Sequence, residues 1–241
     1  GSPIPSQTVS ALIALGVTLQ NAFGMTENCS FQYTRATDDV ETIVETCGRA
    51  CSGMEMSIWD SENQDIRLGA GQIGEMACRG ASLMLGYFGD QHSTERSFNR
   101  EGWFMTGDLG SLDEAGNLRI AGRKKDLIIR GGHNIYPARI EDLAMRHANV
   151  LKAAAFAMAD ERLGEKVCLA IIAKTPGAHG PDDLLAHLAS QGLSKYDMPE
   201  YYIELDRFPL TASGKVLKRT LVDMARNGDI QPKPIRWVPR T

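Results

Sequence analysis

Residues 122–137, GRKKDLIIRGGHNIYP, divide the chain into two textures. Before this stretch, short β runs alternate with glycine-rich turns. After it, strand runs alternate with helical patterns. The second texture reads as a compact α+β unit of about 100 residues, a normal domain size, with its boundary near Lys125. The stretch itself carries a basic cluster, an apolar run, a glycine pair and a proline. Basic residues beside glycines suggest a phosphate, yet the spacing is neither GxxxxGK[ST] nor GxGxxG.

In the first texture, a helix is expected over residues 8–15, ended by Gly16. VTLQNAF reads as a strand, followed by a turn at Gly24. Residues 46–79 read as short strands between glycine turns, as in a small barrel or meander. EGWFMTGD reads as a strand ending on Gly107 and Asp108, DEAGN as a hairpin turn and LRIAGR as the returning strand. In the second texture, DLIIRG is a strand and Pro137 opens a helix with Ile140, Leu143, Ala144 and His147 on one face. VLKAAAFAM, EKVCLAIIAK and EYYIELD read as strands and Pro181 to Ser190 as a helix. A last helix follows the TASGK turn, with Leu217, Leu221 and Met224 on one face, and residues after Asn227 form a proline-rich tail. The expected class is α+β. A β-barrel-like meander that ends a larger domain occupies 1–122, a small three-layer α/β lid domain occupies 123–228, and a tail occupies 229–241.

The bulk numbers exclude some functions. The 241 residues carry 43% hydrophobic and 23% charged side chains, as a globular protein does. A net charge of -4 argues against a general nucleic-acid binder. No apolar run approaches the roughly 20 residues of a membrane helix. Cysteines at 29, 47, 51, 78 and 168 lack CxxC spacing and nearby histidines, so reduced, mostly buried thiols are expected rather than zinc. With no signal-peptide pattern, this suggests the cytoplasm.

Three short motifs each have a bland reading. FGMTE, Phe23 to Glu27, follows a strand; its Thr26 and Glu27 can meet a phosphate oxygen and Mg²⁺, or cap a turn. TGD, Thr106 to Asp108, offers a carboxylate to both hydroxyls of a ribose, or a hairpin aspartate. TASGK, Thr211 to Lys215, presents an ammonium to charge that develops on a carboxylate attacking a phosphate, or only to solvent.

Together and in order they say more. FGMTE, GE-x3-RG, GYF, GWF-x-TGD, GRKKD-x-I-x-x-GG-x-N-I-x-P and P-x-T-x-SGK form an ordered set. On these motifs, over nearly its whole length, the chain resembles the AMP-forming adenylating superfamily of acyl- and aryl-CoA synthetases, peptide-synthetase adenylation domains and luciferases. The resemblance implies that Phe23 stacks on adenine, Thr26 contacts a phosphate and Glu27 ligates Mg²⁺. It implies that Asp108 binds ribose, Arg123 contacts the nucleotide, Lys125 is the hinge and Lys215 serves adenylation. It also implies a two-step reaction on a carboxylic acid, ATP and coenzyme A. Gly131 and Gly132 would let a pantetheine arm lie against bare backbone. The GG-x-N-I-x-P form tilts the thiol towards free CoA rather than a carrier protein.

His133 and Arg139 stand where many relatives carry Glu; His133 is open to a phosphate contact or to plain solvation, and solvation is the expectation. The Ser/Thr/Gly-rich phosphate loop that relatives carry before FGMTE is not in this sequence. The chain is therefore expected to be the C-terminal part of a longer ligase, inactive alone. GSPIPSQTV matches the family segment before FGMTE, so Gly1 and Ser2 can be native, although a cloning scar is the other reading. A non-catalytic CoA- or partner-binding module and the tail of a carrier-loading adenylation domain are the alternatives. The acid and the oligomeric state are not legible.

Overall fold

The computed structural model describes residues 4–178, 180–212 and 214–238. Gly1 and Ser2, and Ser213 of the TASGK turn, lie outside them. The chain divides into two compact units, Gly1–Lys125 and Asp126–Thr241.

The first unit opens with α1 (Ser6–Ala14), which ends before Gly16 at φ 81°. A three-stranded antiparallel sheet follows, built from β1 (Ala22–Met25), β2 (Cys29–Tyr33) and β3 (Arg49–Ala50). Between its last two strands lies α2 (Val40–Glu45), capped by Asp39, whose side chain accepts the Thr42 N–H at 2.7 Å. A second sheet has the order β4 (Met54–Trp59), β5 (Gly74–Gly80), β6 (Phe104–Leu112), β7 (Leu118–Arg123), all antiparallel. The short α3 (Gln91–Arg96) lies between β5 and β6. This is the expected meander, left open. Phe23 and Phe31 from the first sheet join Met76, Phe104 and Leu118 from the second in one buried core.

Three local expectations are corrected here. The strand expected over VTLQNAF begins only at Ala22, and Gly24 lies inside it rather than in a turn. A Cβ on Gly24 would come 2.1 Å from the Cys29 carbonyl oxygen, so glycine is required by close approach of two strands. The turn itself is formed by residues 26–28. The strand expected to end at Asp108 instead runs on to Leu112, because the glycine at 107 makes a bulge and not a terminus.

The second unit begins with a hairpin of β8 (Ile128–Arg130) and β9 (His133–Ile135). Then come α4 (Pro137–Met145), β10 (Val150–Asp160), β11 (Gly164–Ala173), α5 (Pro181–Ser190), β12 (Tyr201–Glu204), α6 (Lys218–Asn227) and β13 (Lys233–Pro234). β11 is central: it pairs antiparallel with β10 and parallel with β12. Its alternation decides the layers. Val167, Leu169 and Ile171 share a core with α4 and α5, whereas Cys168 and Ala170 share one with Phe208 and Leu221 of α6. The three-layer expectation thus follows from one strand buried on both faces. The residues read as a tail are part of this fold. β13 pairs with β12 at the sheet edge, where proline costs no ladder bond, and Ile230 is buried against α6. His147, expected on α4, lies just beyond its end; it is still buried, with Nε2 3.0 Å from Asp183 Oδ2. Leu217 sits at the start of α6 and is exposed, leaving Leu221 as the buried residue of that face. No helix among the described residues is long and apolar enough to cross a membrane.

Candidate functional site

In the first unit the candidate residues form two clusters. One is the β1–β2 turn. Thr26 is exposed there and Glu27 half-buried. The turn is held from below by Asn28, fully buried, whose Oδ1 accepts the Met25 N–H at 2.9 Å and whose Nδ2 lies 3.3 Å from Cys78 Sγ. The segment after β5 grips it from the side. The Met84 N–H donates to the Glu27 carbonyl at 2.7 Å and the Tyr87 hydroxyl donates to Glu27 Oε1 at 3.2 Å. Burial and the Glu27 charge raise the Tyr87 hydroxyl above the usual phenol range, so it stays a donor. Glu27 offers one hard oxygen-donor carboxylate at an open turn. That suits Mg²⁺, which usually takes one or two carboxylates and fills its shell with phosphate oxygens and water.

Phe23 is the exception in this cluster. Its ring is 7% exposed and meets Phe31 edge-on, with centroids 6.4 Å apart. Stacking on a base requires one face of this ring to open.

The second cluster surrounds TGD. Glu75 pairs with Leu109 and Ala77 with Met105, so three residues of β6 stand opposite Met76 alone. Gly107, at φ 72°, takes up the extra length. Thr106 locks the bulge: its hydroxyl donates to the Met76 carbonyl at 2.7 Å and accepts the Asp108 N–H at 3.1 Å. The bulge re-aims the Asp108 carboxylate, which meets Arg123 Nε of β7 at 3.2 Å. Lys124 bonds Glu75 Oε2 at 2.8 Å. The basic cluster is therefore built into the sheet: Arg123 faces the ribose candidate, Lys124 faces a buried carboxylate, and only Lys125 is exposed. Lys125 is also the last residue of the first unit.

In the second unit, Gly131 (φ 58°) and Gly132 (φ 83°) are the two central residues of the β8–β9 hairpin. Positive φ at both is the signature of a type I′ turn, so the hairpin alone demands this pair. His133 is half exposed and meets a carboxylate of the chain itself. Its Nε2 lies 2.7 Å from Asp197 Oδ1, and its ring meets Tyr196 edge-on. Arg139 is exposed. Lys215 closes a tight loop in which the Thr211 N–H donates to the Lys215 carbonyl at 2.8 Å and the Thr211 hydroxyl accepts the Lys215 N–H at 3.0 Å. This mutual pair fixes where the half-buried Lys215 stem leaves the backbone.

Sequence reasoning singled out the GE and GYF motifs without giving Glu75 or Tyr87 a task. Each acts on a residue far along the chain, and nothing local in β5 marks Glu75 as buried.

The family model described as AMP-binding enzyme matches residues 1–88, and the one described as AMP-binding enzyme C-terminal domain matches residues 139–215. The chain is similar to the medium-chain fatty-acid–CoA ligase of Escherichia coli (strain K12), 34% identical over 90% of this chain and 38% of the relative. It is 38% identical to the putative acyl-CoA synthetase YngI of Bacillus subtilis (strain 168), over 92% of this chain and 40% of that protein. ATP-bound MatB from Rhodopseudomonas palustris shares the fold with a TM-score of 0.87 at 29% identity, over 94% of this chain and 44% of that one. The chain thus spans about two fifths of the length of these curated relatives.

Proposed function

The chain belongs to the AMP-forming adenylating superfamily, and from that premise we propose that it is the pivot-bearing C-terminal part of an acyl-CoA synthetase. The observation that carries this reading is the position of Lys125. The two compact units divide immediately after it, at the end of the strand whose Arg123 meets Asp108.

The proposed reaction has two half-reactions. A carboxylate oxygen attacks the α-phosphorus of ATP, the bond to pyrophosphate breaks, and an acyl-adenylate forms. A CoA thiolate then attacks the acyl carbon and AMP leaves. Asp108 accepts the ribose hydroxyls, with Arg123 beside it balancing its charge. Thr26 donates to a phosphate oxygen, and Glu27 would hold Mg²⁺, which supplies Lewis-acid neutralisation of phosphate charge. Phe23 forms the apolar floor under the adenine, and its role there needs the ring to rotate out from Phe31. Lys215 offsets charge on the attacking carboxylate and the phosphate in the first step only. Rotation about Lys125 then exchanges the Lys215 loop for the Gly131–Gly132 turn. Because the hairpin itself requires that glycine pair, the preference for CoA over a carrier protein rests on the named relatives rather than on bare backbone. Five unpaired cysteines support a cytoplasmic setting.

The test is reconstitution. The isolated chain should show only background ATP–pyrophosphate exchange with any carboxylate, because the sequence holds no phosphate-cradling loop. A complete ligase containing these residues should form CoA thioesters from a panel of medium-chain and aryl acids. Robust exchange by the isolated chain, or no thioester from the complete protein with any acid in the panel, would contradict the reading.

A further inference from the structure

Glu75 is a carboxylate with 4% side-chain exposure, inside a sheet core. Burying such a group is costly unless every oxygen is engaged. Its oxygens engage three segments. Oε1 accepts the Gly107 N–H at 3.2 Å, the donor that the TGD bulge takes out of the β5–β6 ladder. Oε2 accepts from Lys124 Nζ at 2.8 Å and from Gln64 Nε2 at 3.3 Å. One side chain thus joins the residue before Asp108 to the residue before Lys125. Charge-assisted bonds of this kind are the stronger ones; the Glu75 end is buried, while the Lys124 side chain is 39% exposed and partly screened.

We propose that Glu75 is a positioning residue, a strut between the Asp108 bulge and the stub on which Lys125 pivots. It confines the torsional freedom of the connection to Lys125 and beyond, because Lys124 is tied to the first unit. This rests on the assignment of Lys125 as pivot, but the strut is testable without catalysis.

In the 241-residue chain, Lys124 is expected to react with an acetylating reagent about tenfold more slowly than Lys125, since only the open form reacts. Glu75→Gln keeps an oxygen for Gly107 but loses the charge that holds Lys124. Tryptic cleavage after Lys124, relative to cleavage after Lys125, should rise by about tenfold. Lys124→Arg keeps both the ion pair and the tryptic site and should retain the slow cut. Equal labelling of the two lysines, or an unchanged cleavage ratio in Glu75→Gln, would overturn the strut. In a complete ligase, Glu75→Gln should leave the KM for ATP near the parent value and slow the thioester step. Equal loss in both half-reactions, with a lowered melting temperature, would reduce Glu75 to a structural residue and overturn the positioning role. None of these proteolysis or labelling outcomes depends on pyrophosphate exchange, so failure of the strut and failure of the proposed reaction are separable.

Discussion

Gly131→Asn separates the conformational use of the glycine pair from its use as bare backbone. The native φ of 58° lies in the left-handed region, where Asn is tolerated better than other non-glycine residues. Asn-Gly is also the preferred pair for a type I′ hairpin. A Cβ at position 131 would come 3.3 Å from Leu163 Cδ2, the free end of a flexible side chain, so accommodation costs a few tenths of an ångström. Loss of glycine from the unfolded chain returns about 0.4–1 kcal/mol, which offsets most of the remaining left-handed penalty. The net change in stability should be within about 0.5 kcal/mol, or roughly 2–3 °C in the melting transition of the second unit. Gly132→Ala is the control. Nothing lies within 4 Å of its added Cβ, yet φ is 83°. It should lose about 1–2 kcal/mol to backbone strain alone. The assays are calorimetry on the chain and the KM for CoA in a complete ligase. If the bare backbone lines the thiol's path, Gly131→Asn raises the KM for CoA while stability holds. An unchanged KM for CoA would refute that use and leave the hairpin as the sole reason for the pair. A melting loss like that of Gly132→Ala would refute the turn assignment.

Lys215→Ala in a complete ligase should slow adenylation by on the order of 100-fold while sparing thioester formation from preformed adenylate, and equal loss in both would remove Lys215 from the first step. Burial pushes the Cys47 and Cys78 thiols up to about 12 and about 11, and raises Cys168 too. Titration of the native chain with an aromatic disulfide near pH 8 should therefore modify exposed Cys29 and then Cys51, with the buried three reacting only after unfolding. Prompt reaction of all five would contradict the packing of both units.

Much of the second unit was legible because its signals are local. Pro137 and Pro181 open α4 and α5 at their first helical positions, and the apolar run VCLAIIA marked β11 as a strand. The TGD bulge was not legible. Its glycine reads equally as a strand end, and only the register against β5 shows that the chain continues. The same holds for Glu75 and Tyr87, whose contacts to Gly107, Lys124 and Glu27 span 32 to 60 residues. The resemblance implies a stacking role for Phe23 but does not show its surroundings; the ring is buried against Phe31. The edge strand β13 was hidden by its prolines, which signal a tail unless an edge is available to receive them.

Lys125→Pro in a complete ligase tests the pivot most directly. Proline fixes its own φ near -65° and restricts Lys124 before it, while the contacts of Asp108, Thr26 and Glu27 are left in place. Single-turnover formation of adenylate and of thioester should be measured on the same variant, beside its melting temperature. Adenylate formation near the parent rate with failed CoA capture, at unchanged melting temperature, is the expected result. Near-parent rates in both steps would contradict the assignment of Lys125 as the pivot.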